Sequence, residues 1–203
     1  TVDTQAQRLF TDHGFSLLRH NLRMVVELDG PPPEPVLPAG ITLRTIVPGQ
    51  DEYPAFVASR EAFEDHFGHV NRPLEEEFQT WVYRDTNSSN YDPNLWFLAM
   101  DGEQIAGSSL CFKSTDNDPQ FGWVASLSVR RPWRKQGLGL ALLQQSIGEF
   151  YRRGYRKVGL GVDAENLTGA VRLYEKAGMH SDAQHQMAIF EKELRPGKDP
   201  FTA

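Results

Sequence analysis

The sequence predicts an α/β protein whose mixed sheet is flanked by helices, and three observations carry that reading. Short runs of alternating apolar residues mark strands through the middle of the chain. The apolar period then changes to 3.6, with Leu143, Ile147, Phe150 and Tyr151 on one helical face. Beyond that point strand and helix alternate, the pattern of a sheet with at least one parallel crossover.

Taken in order, Ile41, Leu43 and Thr45 alternate with polar neighbours as a first strand. Asp51 to Phe67 and Pro73 to Arg84 read as helices. The second has Pro73 in its first turn and sets Glu75, Glu76 and Glu77 against the helix dipole. Leu95 to Met100 and Gln104 to Lys113 form a hairpin around Asp101-Gly102. Phe121 to Val129 is the next strand, followed by the helix around Leu143. Val158, Leu160 and Val162 mark another strand, and Leu167, Ala170, Val171 and Tyr174 a helix stopped by Gly178. Two strands are expected to close the domain, giving β-α-α-β-β-β-α-β-α-β-β over 41–195, with 196–203 a frayed tail.

The proline run Gly30-Pro31-Pro32-Pro33-Glu34-Pro35, continuing to Gly40, predicts an extended linker over 30–40. It separates off residues 1–29, too few to fold alone. Yet Thr4 to Phe15 match Thr168 to Met179 at a constant offset, with Thr, Ala, Arg, Leu and Gly recurring and Phe10 standing where Tyr174 does. Such self-similarity is the mark of a repeat. Residues 1–29 therefore read as the C-terminal remnant, helix plus strands, of a preceding copy of the main domain.

Composition bounds the function. The formal charge is 21 − 27 = −6, which argues against nucleic acid as a partner. Hydrophobic content of 39% supplies a core and excludes wholesale disorder. A lone Cys111 excludes an internal disulfide framework or a multi-cysteine metal cluster, and a reducing cytoplasm is the expected setting. The longest clear apolar run, Leu95 to Met100, falls far short of the ~18 residues of a membrane span, and the first residues lack an export signal. His66 and His69 flank Gly68 with no cysteine near, so no metal is expected.

The informative window runs from Ser126 to Gly139, a strand entering the basic turn Arg130-Arg131-Pro132-Trp133-Arg134-Lys135 and then a helix opened by Gly137 and Gly139. Backbone N–H groups at a helix start lack intrahelical partners and favour an anion. Glycines there allow close approach, and Arg134 and Lys135 add charge, so a di- or polyphosphate is the expected ligand. A nucleoside-triphosphate loop needs Gly-Lys-Ser/Thr, which Gly139-Leu140-Ala141 does not supply. A dinucleotide fold would place its glycine turn after the first strand, whereas this one follows the fourth.

Arg134-x-x-Gly137-x-Gly139 between strand and helix resembles the acyl-CoA pyrophosphate motif of the GCN5-related N-acetyltransferases. The strand Val158–Asp163, Asn166 and Leu173-Tyr174-x-x-x-Gly178-Met179 resemble the family's later signature. Tandem members, with two copies in one chain, resemble the whole arrangement. The resemblance implies acetyl-CoA as acyl donor and a small amine as acceptor. It implies that the backbone of Leu127, Ser128 and Val129 lies along the pantetheine arm. The turn Arg134, Lys135, Gln136, Gly137, Leu138 and Gly139 would hold the pyrophosphate, Asn166 would contact the arm, and Tyr174 would protonate the departing thiolate. A phenol with an ordinary pKa near 10 is protonated at neutral pH and suits that role.

The amine must attack in its neutral form, which for a lysine-like amine costs roughly 4–5 kcal/mol at pH 7. Related enzymes often carry a glutamate on the strand before the turn, but Phe121 to Val129 contains no acid. Glu61, Glu64, Asp65 and His66 stand as substitutes. Together with Glu75 to Glu77 these acids suggest a cationic acceptor. Two other readings stay open: a non-catalytic acyl-CoA-binding module, and acylation of a protein amino group. Tyr174 as a plain core aromatic, and Gly159 and Gly161 as either a ligand edge or a bulge, stay open as well.

Overall fold

The computed structural model describes residues 3–66, 72–114, 118–165 and 169–194. In chain order the elements are α1 (Thr4–Asp12), β1 (Ser16–Glu27), β2 (Ile41–Thr45), α2 (Glu52–Ala62), α3 (Leu74–Thr86), β3 (Trp96–Asp101), β4 (Gln104–Phe112), β5 (Phe121–Val129), α4 (Leu138–Arg152), β6 (Lys157–Asp163), α5 (Ala170–Lys176) and β7 (His180–Glu191). The seven strands form one sheet in the order β2-β3-β4-β5-β6-β1-β7. All neighbours are antiparallel except β5 and β6, which run parallel. This is the mixed, mostly antiparallel α/β sheet expected from the sequence.

Alternation along β3 assigns the two faces. Trp96, Leu98 and Met100 pack with Ala55 and Ala58 of α2, while Phe97 and Ala99 pack with Leu138 and Leu142 of α4. Further along the sheet, Leu143, Ile147 and Phe150 of α4 and Tyr174 of α5 cover Val124, Val158, Leu160 and Met24. Gly159 lies under the Phe121 ring, where a Cβ would come within 2.7 Å, so neither a ligand edge nor a bulge explains it. Phe63 caps α2, so the helix is shorter than the apolar pattern suggested.

The closing strands differ from expectation. Residues 180–191 form a single strand, β7, whose pairing with β1 slips where Leu22 faces Gln186 but Met24 faces Ser181. The three extra β7 residues form a bulge, and Asp182 there accepts from the Gln184 N–H at 3.0 Å. The other strand beside β6 comes from the N-terminal segment. β1 lies between β6 and β7 and buries Met24 and Val25. Sequence pattern identifies strands but not their neighbours, and β1 competes for the place the second closing strand was expected to take.

The similarity between the ends of α1 and α5 extends to hydrogen-bond detail. At the end of α1, the Phe15 N–H donates to the Phe10 carbonyl at 3.0 Å and the Gly14 N–H to Thr11 at 2.9 Å. At the end of α5, Met179 donates to Tyr174 at 3.0 Å and Gly178 to Glu175 at 2.9 Å. Gly14 and Gly178 adopt φ of 76° and 86°, the left-handed cap that favours glycine. The environments diverge: Tyr174 is 8% exposed, whereas Phe10 is 41% exposed and stacks on Phe190.

Candidate active site

The parallel contact between β5 and β6 is short. Phe121 to Val124 pair with Lys157 to Leu160, and pairing then ends. The cause lies on the other edge of β5, where Leu110 faces Ser126 but Cys111 faces Val124, leaving Ala125 as a bulge. A bulge bends its strand, so β5 turns away from β6. The Arg130 N–H donates to the Ala106 carbonyl on β4 at 3.0 Å. Alternation then points the N–H groups of Leu127 and Val129 away from β4, into the gap. The Val129 carbonyl is already taken by Arg134 Nε at 3.0 Å, and Ser128 is buried with its hydroxyl 2.9 Å from that of Ser108.

The gap leads to the start of α4. Lys135 has φ 62° and Gly137 φ 88°, a curled turn whose N–H groups converge. Ala141 is the first residue of the helix to bond back, to the Gly137 carbonyl at 3.1 Å. Among the described residues, no acceptor meets the N–H groups of Lys135, Gln136, Gly137, Leu138, Gly139 or Leu140. Nothing stands within 4 Å of where a Gly137 Cβ would be, so that side of the cradle is open. Gly139 serves packing: a Cβ there would come within 2.9 Å of Leu173 on α5. Leu138 is buried, and Gln136 Nε2 donates to the Pro132 carbonyl at 3.0 Å.

Charge is distributed differently from the expectation. Arg134 donates to Asp65 at 2.8 Å and to the Ala62 carbonyl at 2.8 Å, so its guanidinium ties the turn to the end of α2. Arg131 binds Asp65 and Glu64, and Arg130 binds Glu61 at 2.8 Å. The hydrogen bonds from Arg131 and Arg134 hold the Asp65 carboxyl far below the ordinary carboxylate range. Glu61, Glu64 and Asp65 are therefore clamps on the turn, which corrects their placing as free substitutes for a base. Lys135 is exposed, with no ion-pair partner among the described residues.

Tyr174 is buried among Leu143, Val162 and Met179, and desolvation pushes its phenol up to about 12. Its hydroxyl donates to no described residue, so the donor is unspent. Asn166 and His69 lie outside the described residues. Cys111 is fully buried on β4, its thiol pushed up to about 11, which fits an inert packing role.

A cavity of about 560 Å³ lies beside the bulge, with Ala125 and Ser126 in its wall. It is lined by α2, α3, β3 and β4 and open on one side to solvent, and sequence reasoning did not find it. Its charged residues are paired: Arg60 Nε with Glu77 at 2.9 Å, and Arg84 with both oxygens of Asp85 at 2.6 and 2.9 Å. The one available signal was Asp85, a carboxylate within a helix that presents Phe78 and Trp81 three to four residues apart.

A strand edge opened by a bulge and running into an unpartnered helix start defines an acyl-CoA-type cleft. The profile described as the acetyltransferase (GNAT) family matches residues 58–179, and the chain belongs to that family. It is similar to a crystal structure of a GCN5-related N-acetyltransferase from Sphaerobacter thermophilus, with TM-score 0.81 and 44% identity over 99% of this chain and 60% of that one. Among curated proteins it is 34% identical to the mycothiol acetyltransferase of Thermobispora bispora over 85% of this chain. A tandem GNAT protein from the clavulanic acid pathway shares the fold, at TM-score 0.66 and 17% identity over 93% of this chain and 57% of that one. The chain spans 58% of the Thermobispora protein and 50% of its Streptomyces scabiei counterpart. No helix among the described residues is long and apolar enough to cross a membrane.

Proposed function

We propose that the protein is an acetyl-CoA-dependent N-acetyltransferase acting on a small-molecule amine by direct attack on the thioester. The observation that carries this reading is the edge of β5 beyond Ala125, continuous with six N–H groups at the start of α4, none of which meets an acceptor among the described residues. An extended pantetheine arm can add to that edge as a strand would, through the Val129 N–H. The N–H groups of Lys135 to Leu140 bind the pyrophosphate, helped by the dipole and by the Lys135 charge. Asn166 contacts the arm. The Leu127 N–H faces the thioester oxygen and stabilises the negative charge that develops there.

In the reaction the C–N bond forms, the C–S bond breaks, and the amine loses a proton. With its phenol near 12, Tyr174 stays protonated throughout the working range. Full transfer of that proton to an ordinary thiolate, about 3.5 units less basic, is uphill by about 5 kcal/mol. Tyr174 therefore acts as a hydrogen-bond donor to the leaving sulfur, and the amine's proton supplies the balance. Release of free thiol from acetyl-CoA in the presence of amines tests the reading, because a non-catalytic CoA-binding module binds acetyl-CoA but releases none. That second reading is favoured by one observation, the absence of any carboxylate along Phe121–Val129.

We also infer that residues 1–29 close a preceding GNAT repeat, as tandem members of the family carry. The matching helix ends at Gly14 and Gly178, and the greater length of the relatives, support this. A mycothiol acetyltransferase-like activity is the alternative that the curated relatives support, whereas the lining of the cavity beside the bulge favours a different acceptor. The buried, lone cysteine suits a reducing cytoplasm.

A further inference from the structure

The cavity beside the β5 bulge sits where an acceptor must approach the thioester, and its lining has a definite chemistry. Phe56, Phe63, Trp81 and Phe112 form its walls, with Trp96 behind them. The rings are in mutual contact, Phe56 to Trp81 at 5.5 Å and Trp81 to Trp96 at 5.4 Å between centroids. The cavity's charges cancel: two arginines and two carboxylates bond to each other, Arg60 with Glu77 and Arg84 with Asp85. Among the described residues, Ser59 and Ser126 are the hydroxyl side chains in the wall.

We propose that the acceptor is a primary amine carried on an aromatic or branched apolar body with no second charge, its amine at Ala125–Ser126 and its body against Trp81. This inference rests on the acetyl-transfer reading above and narrows it. An apolar body of that size gains from leaving water against these rings. A polyamine would bring a second ammonium to a wall whose two carboxylates are already held by arginine. An amino sugar would lay its hydroxyls along aromatic walls that offer few polar partners among the described residues, and gains less from them than an apolar body does. Glu61, Glu64 and Asp65 pair with arginines of the turn and Glu77 with Arg60, while Glu75 and Glu76 are exposed on α3 and do not line the cavity.

The test measures acetyl transfer to 2-phenylethylamine, putrescine and glucosamine at matched concentrations, beside calorimetric binding of acetyl-CoA. The expected result is a kcat/KM for 2-phenylethylamine about thirtyfold above the other two, the gain from burying a phenyl ring. Trp81→Ala should raise the KM for 2-phenylethylamine about tenfold with acetyl-CoA affinity unchanged, and Trp81→Phe should restore most of it. Equal or better use of putrescine or glucosamine overturns the proposal. So does acetyl-CoA binding without transfer to 2-phenylethylamine. Failure to bind acetyl-CoA at all overturns the proposed function itself, and this inference falls with it.

Discussion

The two halves of the cleft are built by different means. The donor half, β5 with the turn into α4, is one contiguous stretch whose working groups are backbone amides. The acceptor half gathers side chains from α2, α3, β3 and β4 around the bulge. Backbone amides offer the same chemistry whatever the side chains, so the donor half can be written as a short glycine pattern. The acceptor half depends on which rings and charges the fold brings together. One half therefore identifies the family, and on the proposed reading the other selects the acceptor.

The comparison can be broken most forcefully at Gly137. Its φ of 88° disfavours any branched side chain, which would also intrude on the cradle. Gly137→Val should weaken CoA binding roughly a hundredfold, about 3 kcal/mol, by calorimetry, the loss of one or two charge-assisted hydrogen bonds. Acceptor KM should change far less. Tyr174→Phe sharpens the picture differently: kcat should fall ten- to a hundredfold while CoA affinity holds, as for a donor used only when the sulfur departs. Phe already occupies the equivalent place, Phe10, at the end of α1.

Alkali gives a smaller effect with a definite sign. The Tyr174 phenol is raised to about 12 in the fold, against about 10 in the unfolded chain. Below pH 10 both states hold the proton and stability is unaffected. Between about 10 and 12 only the unfolded chain releases it, so the fold loses up to about 2–3 kcal/mol over that window. Chemical denaturation across this range should show the slope in the native protein and a weaker one in Tyr174→Phe. The smallest change is expected at Cys111. With its thiol buried and raised to about 11, labelling by a thiol reagent at pH 8 should proceed only as fast as the protein opens.

How much was legible follows the same division. Phe121–Val129 was bounded to the residue, because its alternation is flanked by turn residues and the basic turn. The helix opened by Gly137 was equally plain. The bulge at Ala125 was not, since nothing in Val124-Ala125-Ser126 distinguishes a bulged strand from a regular one. The arginine clamp on Asp65 joins residues about seventy apart, and charge pattern alone left Asp65 equally available as a base. The helix over Pro73–Arg84 was legible, but that Trp81 on it walls a cavity depends on β4 and the bulge opposite. The N-terminal segment showed its similarity to Thr168–Met179 yet not its place between β6 and β7, because self-similarity carries no information about partners.

The most direct measurement is amide hydrogen exchange of the whole chain with and without CoA. The account predicts that the N–H groups of Leu127, Val129 and Lys135 to Leu140 exchange freely alone and become strongly protected when CoA is added. Unchanged exchange at those positions under saturating CoA, or protection confined to other strands, would contradict it.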